Sequence, residues 1–565
     1  MTSRYAMAFL MVVSPIIAMS QIVIGRHVAP YDSTTNTWLA TVPEDSFGRD
    51  GLLLVTLGKK YRQLVIGEDT VTPGNTILHL FRNICADSTY TVVITDTLDR
   101  VSTGQIQFTF LPVVQLQGTF GYEYSEGTVL LSCPDSLKTD TLTATIKWRG
   151  GTTNAANKHK RNYKVKLSED HKLLGLRKDN NWILDAGQPD VFRMRNRIAM
   201  DLWNKMARKP YYADQKPNAR NGVRGRMVEV FLNDEYRGIY NMSEAMDRKQ
   251  LNLKKMDEET GEIHGCLYKG VSWDKTQMYN FLSNYDNTKD TFYGYEMKYP
   301  DLGDSDTIDW APLVSANNFV YDSTDEEFQQ QVGDYFDMPV LTDYNIFFNV
   351  VNAVDNTGKN MYWAIFDKAT TKRFTPTPWD LDATFGQRWG GILVRETEEG
   401  FFNSPEFRLD FELFLTYRLF RDNFNDYVGL LNERYKQLRQ PGQPLHTDSI
   451  LAIVDSYYQA VKNSGAARRE AAKWSGDSDM WGDVIDFDAE YAYICDWIRQ
   501  RMDFIDQTEL PLFYKKSYFD SLGIQPFTIS STRSDNVYDL GGRRVRGDSL
   551  KPGLYVRNGR RFIVR

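Results

Sequence analysis

The chain has 565 residues, 42% hydrophobic and 25% charged, a globular composition with enough apolar mass for roughly two to four domains. A formal net charge of -7 supplies no overall basic field, which argues against nucleic acid as a partner. Aromatic residues at 13%, with 32 Tyr and 12 Trp, exclude disorder over most of the chain.

Residues 1–20 read as a secretory signal. Arg4 gives the positive start, "MAFLMVVSPIIA" (7–18) the apolar run, and "AMS" (18–20) a small-residue cleavage pattern before Gln21. A membrane anchor is the competing reading, but the run is short for a span and contains Pro15. The expectation is export with cleavage, to the periplasm, the cell surface or the medium, leaving no membrane span. Cys85, Cys133, Cys266 and Cys495 lie far apart without Cys-x-x-Cys spacing, so a zinc site or dense disulfide framework is not indicated. One bridge or buried free thiols both remain open.

From 21 to about 118, five β-rich runs follow one another at roughly ten-residue spacing, which predicts a small β-sandwich. They are "GLLLVTLG", "YRQLVIG", "TILHLFRN", "YTVVITD" and "GQIQFTF", and "FLPVVQLQG" (110–118) leads into the next unit. "TLTATIKWRG" (141–150) and "NYKVKLS" (162–168) predict strands around a polar connection. Phe192, Ile198, Leu202 and Met206 recur at helical spacing within 190–209. Residues 226–244 predict a hairpin turning at Asn233-Asp234-Glu235. Further helices are expected over 338–354, 405–440, 446–463 and 484–506. Residues 525–565 hold short strands with Gly-Gly, Pro-Gly and Asn-Gly turns, and resemble the C-terminal tail of exported Bacteroidetes proteins.

The chemistry concentrates in 338–386. An apolar helix runs into "NVVNAVDNTGKN" (349–360), which carries Asp355 and, five residues later, Asn360. A predicted hairpin follows ("MYWAIFD", "RFTPTPW") and ends at "DLD", with Asp380 and Asp382. The order helix, loop with Asp and Asn, hairpin, Asp is the one protein kinases use. There the first Asp orients the acceptor hydroxyl, while the Asn and the second Asp hold metal ions on the nucleotide phosphates. Mg²⁺ suits such hard oxygen donors. No His-Arg precedes Asp355 and no Asp-Phe-Gly follows the hairpin. From Lys147 to Lys166 there are seven Lys or Arg and no acidic residue, around a Gly-Gly pair whose backbone could approach phosphates. Lys164 and Lys166 share one strand face, where either could bridge phosphates.

With these residues in view, the sequence resembles the CotH kinase family. The matching pieces are "IKWRGGTT", "KRNYKVKL", "LLGLRKDNNWILDAGQPDVFRMRNRIAMDLW", "VEVFLNDEYRGIYNMSEAMD" and "WDLDATFG", in order over roughly 140 to 390. The expected chain is α+β: a signal peptide (1–20), a β-sandwich-like domain (21–118), the two-lobed atypical protein-kinase-like domain (119–515) that the resemblance implies, and a short β-rich tail (525–565), the sandwich and the tail lying outside the resemblance. It implies ATP with Mg²⁺ or Mn²⁺, and phosphorylation of Ser or Thr on an exported protein. Asp355 matches the catalytic Asp and Asn360 the metal-binding Asn; Asp380 matches the metal Asp, with Asp382 as the competing assignment. Lys164 or Lys166 would contact phosphate, and Arg149 sits in the family's Arg-Gly turn. Tyr163 and Phe374 fall where aromatic faces would sandwich adenine, though strand aromatics of this kind also fill cores. Glu244 would lie near the nucleotide or cap the following helix. Arg195 would pair with Asp190 or Asp201 to hold its helix.

Two other function classes compete. One is a non-catalytic, kinase-like adhesive protein, which the sandwich and tail also suit. The other is a carbohydrate-active enzyme, suggested by export, many Tyr and Trp, and paired carboxylates. Asp380 and Asp382 at i and i+2 are too loosely constrained a pair to support the latter.

Overall fold

The computed structural model describes residues 21–155, 157–303, 307–387, 413–480 and 483–508, and the strands lying within 537–564. The expected signal segment, residues 405–412 and residues 525–536 lie outside the described residues. Two compact units divide the chain, the second beginning at Tyr514.

The first part of the larger unit is a β-sandwich, built from the five predicted runs and several shorter strands. A four-stranded sheet (Ile22–Ile24, His27–Ala29, Arg49–Leu57, Thr76–Ile84) packs against a six-stranded one that includes Thr37–Thr41, Tyr61–Ile66, Tyr90–Asp96 and Val101–Thr109. Their inner faces bury Trp38, Leu64, Phe81, Ile94, Ile106 and Phe108 in one core. The alternation apolar-in, polar-out is what a sheet with one buried face requires.

Seven strands then close into a barrel: Val113–Gln117, Ser125–Ser132, Asp140–Arg149, Asn162–Lys172, Lys178–Asp185, Glu235–Glu244 and Gly225–Leu232. Val113–Gln117 pairs in parallel with Gly225–Leu232, which closes the ring. This strand belongs to the barrel, so the boundary expected at 118 falls before Val113. The turn between the last two strands is at Asn233-Asp234, as predicted, with Asn233 in the left-handed region at φ 54°. Leu116, Ile146, Tyr163, Val165, Trp182, Val228 and Tyr240 fill the barrel.

Helix Arg195–Met206 follows the barrel strand Lys178–Asp185 and is shorter at its start than the 190–209 pattern suggests. Asp190 explains the delay: its carboxylate caps Arg195 N–H at 2.8 Å and pairs with the Arg195 guanidinium at 2.6 Å. A five-stranded sheet, in the order Thr291–Phe292, Tyr295–Tyr299, Cys266–Gly270, Met361–Ile365, Thr375–Pro378, carries the acidic segment. Helix Met338–Val351 packs on the strand Thr375–Pro378 and helix Ala466–Trp474 on the barrel strand Glu235–Glu244, while Ala311–Asp322, Asp325–Tyr335, Phe414–Arg421, Tyr427–Leu438, Thr447–Asn463 and Phe487–Thr508 pack against one another and against these two. All four cysteines are free thiols. No helix among the described residues is long and apolar enough to cross a membrane.

The second unit is described by itself. Its strands form one antiparallel sheet in the order Arg544–Val545, Val537–Asp539, Gly553–Arg557, Arg560–Val564.

Candidate active site

The helix Met338–Val351 is buried along most of its length and stops at Asn352, whose left-handed conformation (φ 54°) turns the chain out of the helix. Asp355 follows in a buried turn and is 7% exposed. Its carboxylate is fully engaged. Lys359 Nζ contacts both oxygens at 2.9 and 2.8 Å, Asn360 Nδ2 donates to Oδ2 at 2.9 Å, and the Trp273 indole N–H donates to Oδ1.

The predicted hairpin is present: Met361–Ile365 pairs antiparallel with Thr375–Pro378, Met361 opposite Pro378. That register returns the chain to the Asp355 turn. Trp379 N–H donates to Asn360 O at 3.0 Å, and Asn356 Nδ2 donates to the carbonyls of both Asn360 (3.1 Å) and Trp379 (2.7 Å). Asp380 is the next residue. Asn360 and Asp380 both hold φ above +50°, a costly conformation for non-glycine residues that a rigid surround must maintain. Gly358 (φ +119°) supplies part of that surround, because a Cβ there would stand 2.7 Å from Thr276 O.

Charges of both signs converge here. Asp382 is surrounded by Asp380, Asp185, Asp355 and Asp190; burial, then these neighbours, push its carboxyl well above the usual range. Burial raises Asp355 as well, against the opposing pull of Lys359. Asp185, at the end of its barrel strand, is raised by burial and by Asp380. Opposite these acids stand cations. Lys269, on the central strand Cys266–Gly270, is lowered chiefly by burial, with Asp380 pulling the other way and Arg149 and Lys298 adding to the lowering. Lys164 is likewise lowered by burial and by Lys298 and Arg149. Among the described residues, Arg149, Lys164 and Lys269 enter no ion pair, whereas Arg193, Arg195 and Arg197 are all paired. Arg149 lies 5.7 Å from the Trp379 ring centroid.

The structure thus brings together Asp355, Asn360, Asp380, Asp382, Arg149 and Lys164. Lys164 is half-buried, whereas Lys166, two residues along on the same strand face, is exposed. Three expected residues point elsewhere. Tyr163 is 1% exposed inside the barrel, its ring near Phe120 and Tyr240, because strand alternation sends it away from the face that carries Lys164. Phe374 is also core, with its ring 5.9 Å from Tyr268. Glu244 does not cap the following helix. It accepts from Arg177 N–H at 2.9 Å and from the Arg224 guanidinium at 2.8 Å, and the next helix is capped by Asp247. Arg195 pairs with Asp190, one of its two expected partners, and with Glu490 at 3.2 Å.

Sequence reasoning missed Lys269, Lys359, Trp273 and Asp185. Lys269 left one signal, a lone cation in the apolar strand "CLYKG". Lys359 adjoined Asn360 in the quoted loop and was passed over.

The donor set suits a divalent cation and a polyphosphate. Asn360, Asp380 and Asp382 offer hard oxygens of the kind Mg²⁺ and Mn²⁺ prefer, and a cation would relieve the crowding around Asp382. The unpaired Arg149, Lys164 and Lys269 suit phosphate oxygens. A separate group, His159, Asp477 and Asp479, could also approach a metal ion. Its carboxylates already accept from the Lys160 and Asp479 backbone N–H groups and from His159 Nδ1.

No curated protein matches the chain. A crystal structure of murine CEACAM1b is among the solved structures found, 12% identical over 26% of this chain and 92% of that one. Its TM-score of 0.08 gives that likeness no weight. The family model described as CotH kinase protein matches residues 146–505, a span that begins two residues before Trp148 and includes the whole acidic centre. The chain belongs to the CotH kinase family.

Proposed function

We propose that the protein is an exported, metal-dependent protein kinase that transfers the γ-phosphoryl group of ATP to a Ser or Thr hydroxyl of another exported protein. The observation that carries this reading is Asp355 locked by Lys359 and Asn360 beside Asp380, with Arg149, Lys164 and Lys269 unpaired opposite. The barrel and the helical part would serve as the two lobes, with nucleotide between them.

In the reaction, the acceptor oxygen forms a bond to the γ-phosphorus while the bond from that phosphorus to the β–γ bridging oxygen breaks, and ADP leaves. Asp355 orients the acceptor hydroxyl, which takes the place of Lys359 Nζ on the carboxylate, and accepts its proton as that bond forms. Asn360 and Trp273 hold the Asp355 carboxylate in place. Arg149, Lys164 and Lys269 bind and orient phosphate oxygens. A divalent cation held by Asn360, Asp380 and Asp382 would offset charge on the phosphates. Positioning and electrostatics of this kind supply most of the acceleration in phosphoryl transfer.

The non-catalytic reading gains no observation of its own. A binding module has no use for a buried carboxylate held by three donors beside unpaired cations. The test is thermal melting with ATP and Mn²⁺. Nucleotide should raise the melting temperature of the wild type, and Arg149→Ala and Lys269→Met should lose most of that rise. A wild type indifferent to nucleotide would sink the proposal. Export rests on residues 1–20 alone, and a mature protein beginning at Gln21 would support it.

A further inference from the structure

The four-stranded sheet of the sandwich has two faces, and one of them belongs to the core. On its strands Arg49–Leu57 and Thr76–Ile84, Val55 and Phe81 point into that core, and Leu53 and Ile77 pack against it. Alternation therefore sends Leu52, Leu54, Leu78 and Leu80 outward, where they are 58, 43, 54 and 39% exposed. They form two direct cross-strand pairs, Leu52 with Leu80 and Leu54 with Leu78. Single exposed leucines are ordinary on a surface, but two adjacent pairs make a contiguous apolar patch, the mark of an interaction surface.

Two observations say what covers it. The same face already serves as an interface: Val23 lies opposite Thr56 and Val28 opposite Val23, and both valines bury against Leu130 of the barrel. The barrel thus covers the half of the face carried by Ile22–Ile24 and His27–Ala29. The leucines continue it outward to Thr76–Ile84, the last strand of that sheet. The patch is also bounded by polar groups that match one another. At one end Asp50 and Arg82 pair at 3.6 Å with both side chains exposed, and at the other the Thr56 and Thr76 hydroxyls share a hydrogen bond at 2.8 Å. A two-fold axis laid along the strands, midway between Arg49–Leu57 and Thr76–Ile84, sets each of them over the opposite strand of a second copy. Leu52 then meets the partner's Leu80, Leu54 the partner's Leu78 and Asp50 the partner's Arg82, every contact being made twice. The face is complementary to itself in charge as well as in apolar pattern.

We propose that this leucine face is a dimer interface, occupied by the same face of a second copy of the chain. Two aligned sheets pack about 10 Å apart with their inner side chains interdigitated, which is how the leucines of the two copies would be covered. Four leucines per copy are a small apolar centre beside an interface of standard size, so the association is reversible and concentration dependent. The opposed Asp50 and Arg82 fix register and direction more than strength. The dimer is independent of the kinase reading, because the sandwich precedes the residues that the family model matches.

The test is sedimentation velocity of the purified protein over a range of concentrations. The wild type should pass from monomer to dimer as concentration rises. Leu80→Glu buries a charge twice in each dimer and should weaken association about tenfold or more. Leu98→Glu, on an exposed turn of the other sheet, should match the wild type. Charge exchange then separates a second copy from any other occupant. Asp50→Arg alone sets cation over cation and Arg82→Asp alone sets anion over anion, so each should dimerise less than the wild type. Mixed in equal amounts, the two variants oppose unlike charges at both contacts and should recover the wild-type level. Melting temperatures establish that each variant folds, and Leu80→Glu decides the matter if Asp50→Arg does not. A wild type that stays monomeric at every concentration, a dimer that Leu80→Glu leaves intact, or a mixture that associates no better than its parts would overturn the assignment.

Discussion

The backbone N–H of Trp379 donates to the carbonyl of Asn360 at 3.0 Å, and this bond sets Asp380 beside the Asp355 turn. Everything between the two residues is a hairpin whose register, Met361 opposite Pro378, leaves no freedom in where Asp380 emerges. Asn356 clamps the same junction from below, with Nδ2 bonded to both carbonyls.

Asn356→Ala therefore leaves the buried Trp379 carbonyl without its donor and the Asn360 carbonyl with the Trp379 N–H alone. The expected loss of stability is about 2 kcal/mol, read from urea denaturation, together with a clear loss of phosphoryl transfer. Unchanged stability and activity would show that the clamp does not fix the junction.

Gly358→Ala tests the strained surround. With φ at +119° and a Cβ 2.7 Å from Thr276 O, the new methyl must move backbone. Destabilisation of about 2 kcal/mol or more is expected, with activity falling further than in Gly303→Ala, where among the described residues the Asp301 side chain alone stands nearby.

The Asp355 carboxyl titrates above its ordinary range because it is buried, and Lys359 opposes that rise. As the proton acceptor it must be ionised, so activity falls as pH drops through the raised value. The acid limb of the pH–rate profile should lie above that of a free carboxylate. Lys359→Met should move it higher still. A limb that stays put in Lys359→Met would mean that Asp355 is not the titrating group.

His27, in the sandwich, is lowered from 6.5 to about 4, first by burial and then by Arg26. The unfolded chain binds the proton more readily between those values, so this contribution to stability is present above pH 6.5 and lost as pH falls toward 4. The loss amounts to about 3 kcal/mol. His27→Leu should flatten that part of the stability–pH curve, measured by denaturation at pH 7 and pH 4.5. An identical slope in wild type and variant would assign acid sensitivity elsewhere.

Much of the site was legible because its core is local. Helix, loop and hairpin lie within one continuous stretch, and the period of each element showed in the residues. Lys269 was not legible, because it reaches the site through pairing of Cys266–Gly270 with Met361–Ile365, a contact between segments far apart in sequence. Asp185 arrived in the same way, through the barrel. Tyr163 was a different failure. If Lys164 faces the nucleotide, its strand neighbour must face the core, and Tyr163 does. Glu244 follows the same rule: Asn241 and Ser243 line the pocket beside Asp380, so Met242 and Glu244 turn away. The boundary expected at 118 was set too late because "FLPVVQLQG" reads as a passage into the next unit, whereas Val113–Gln117 is itself a strand of the barrel.

The central claim is tested most directly by intact-mass analysis of the purified protein after incubation with ATP and Mg²⁺ or Mn²⁺, with an exported protein substrate mixture alongside. Asp355→Ala and Asp380→Ala run in parallel. The account predicts added phosphate in the wild-type reaction, on the chain itself or on a protein in the mixture, and none with either variant. Phosphate transfer that persists in Asp355→Ala, or its absence from every wild-type reaction, would contradict it.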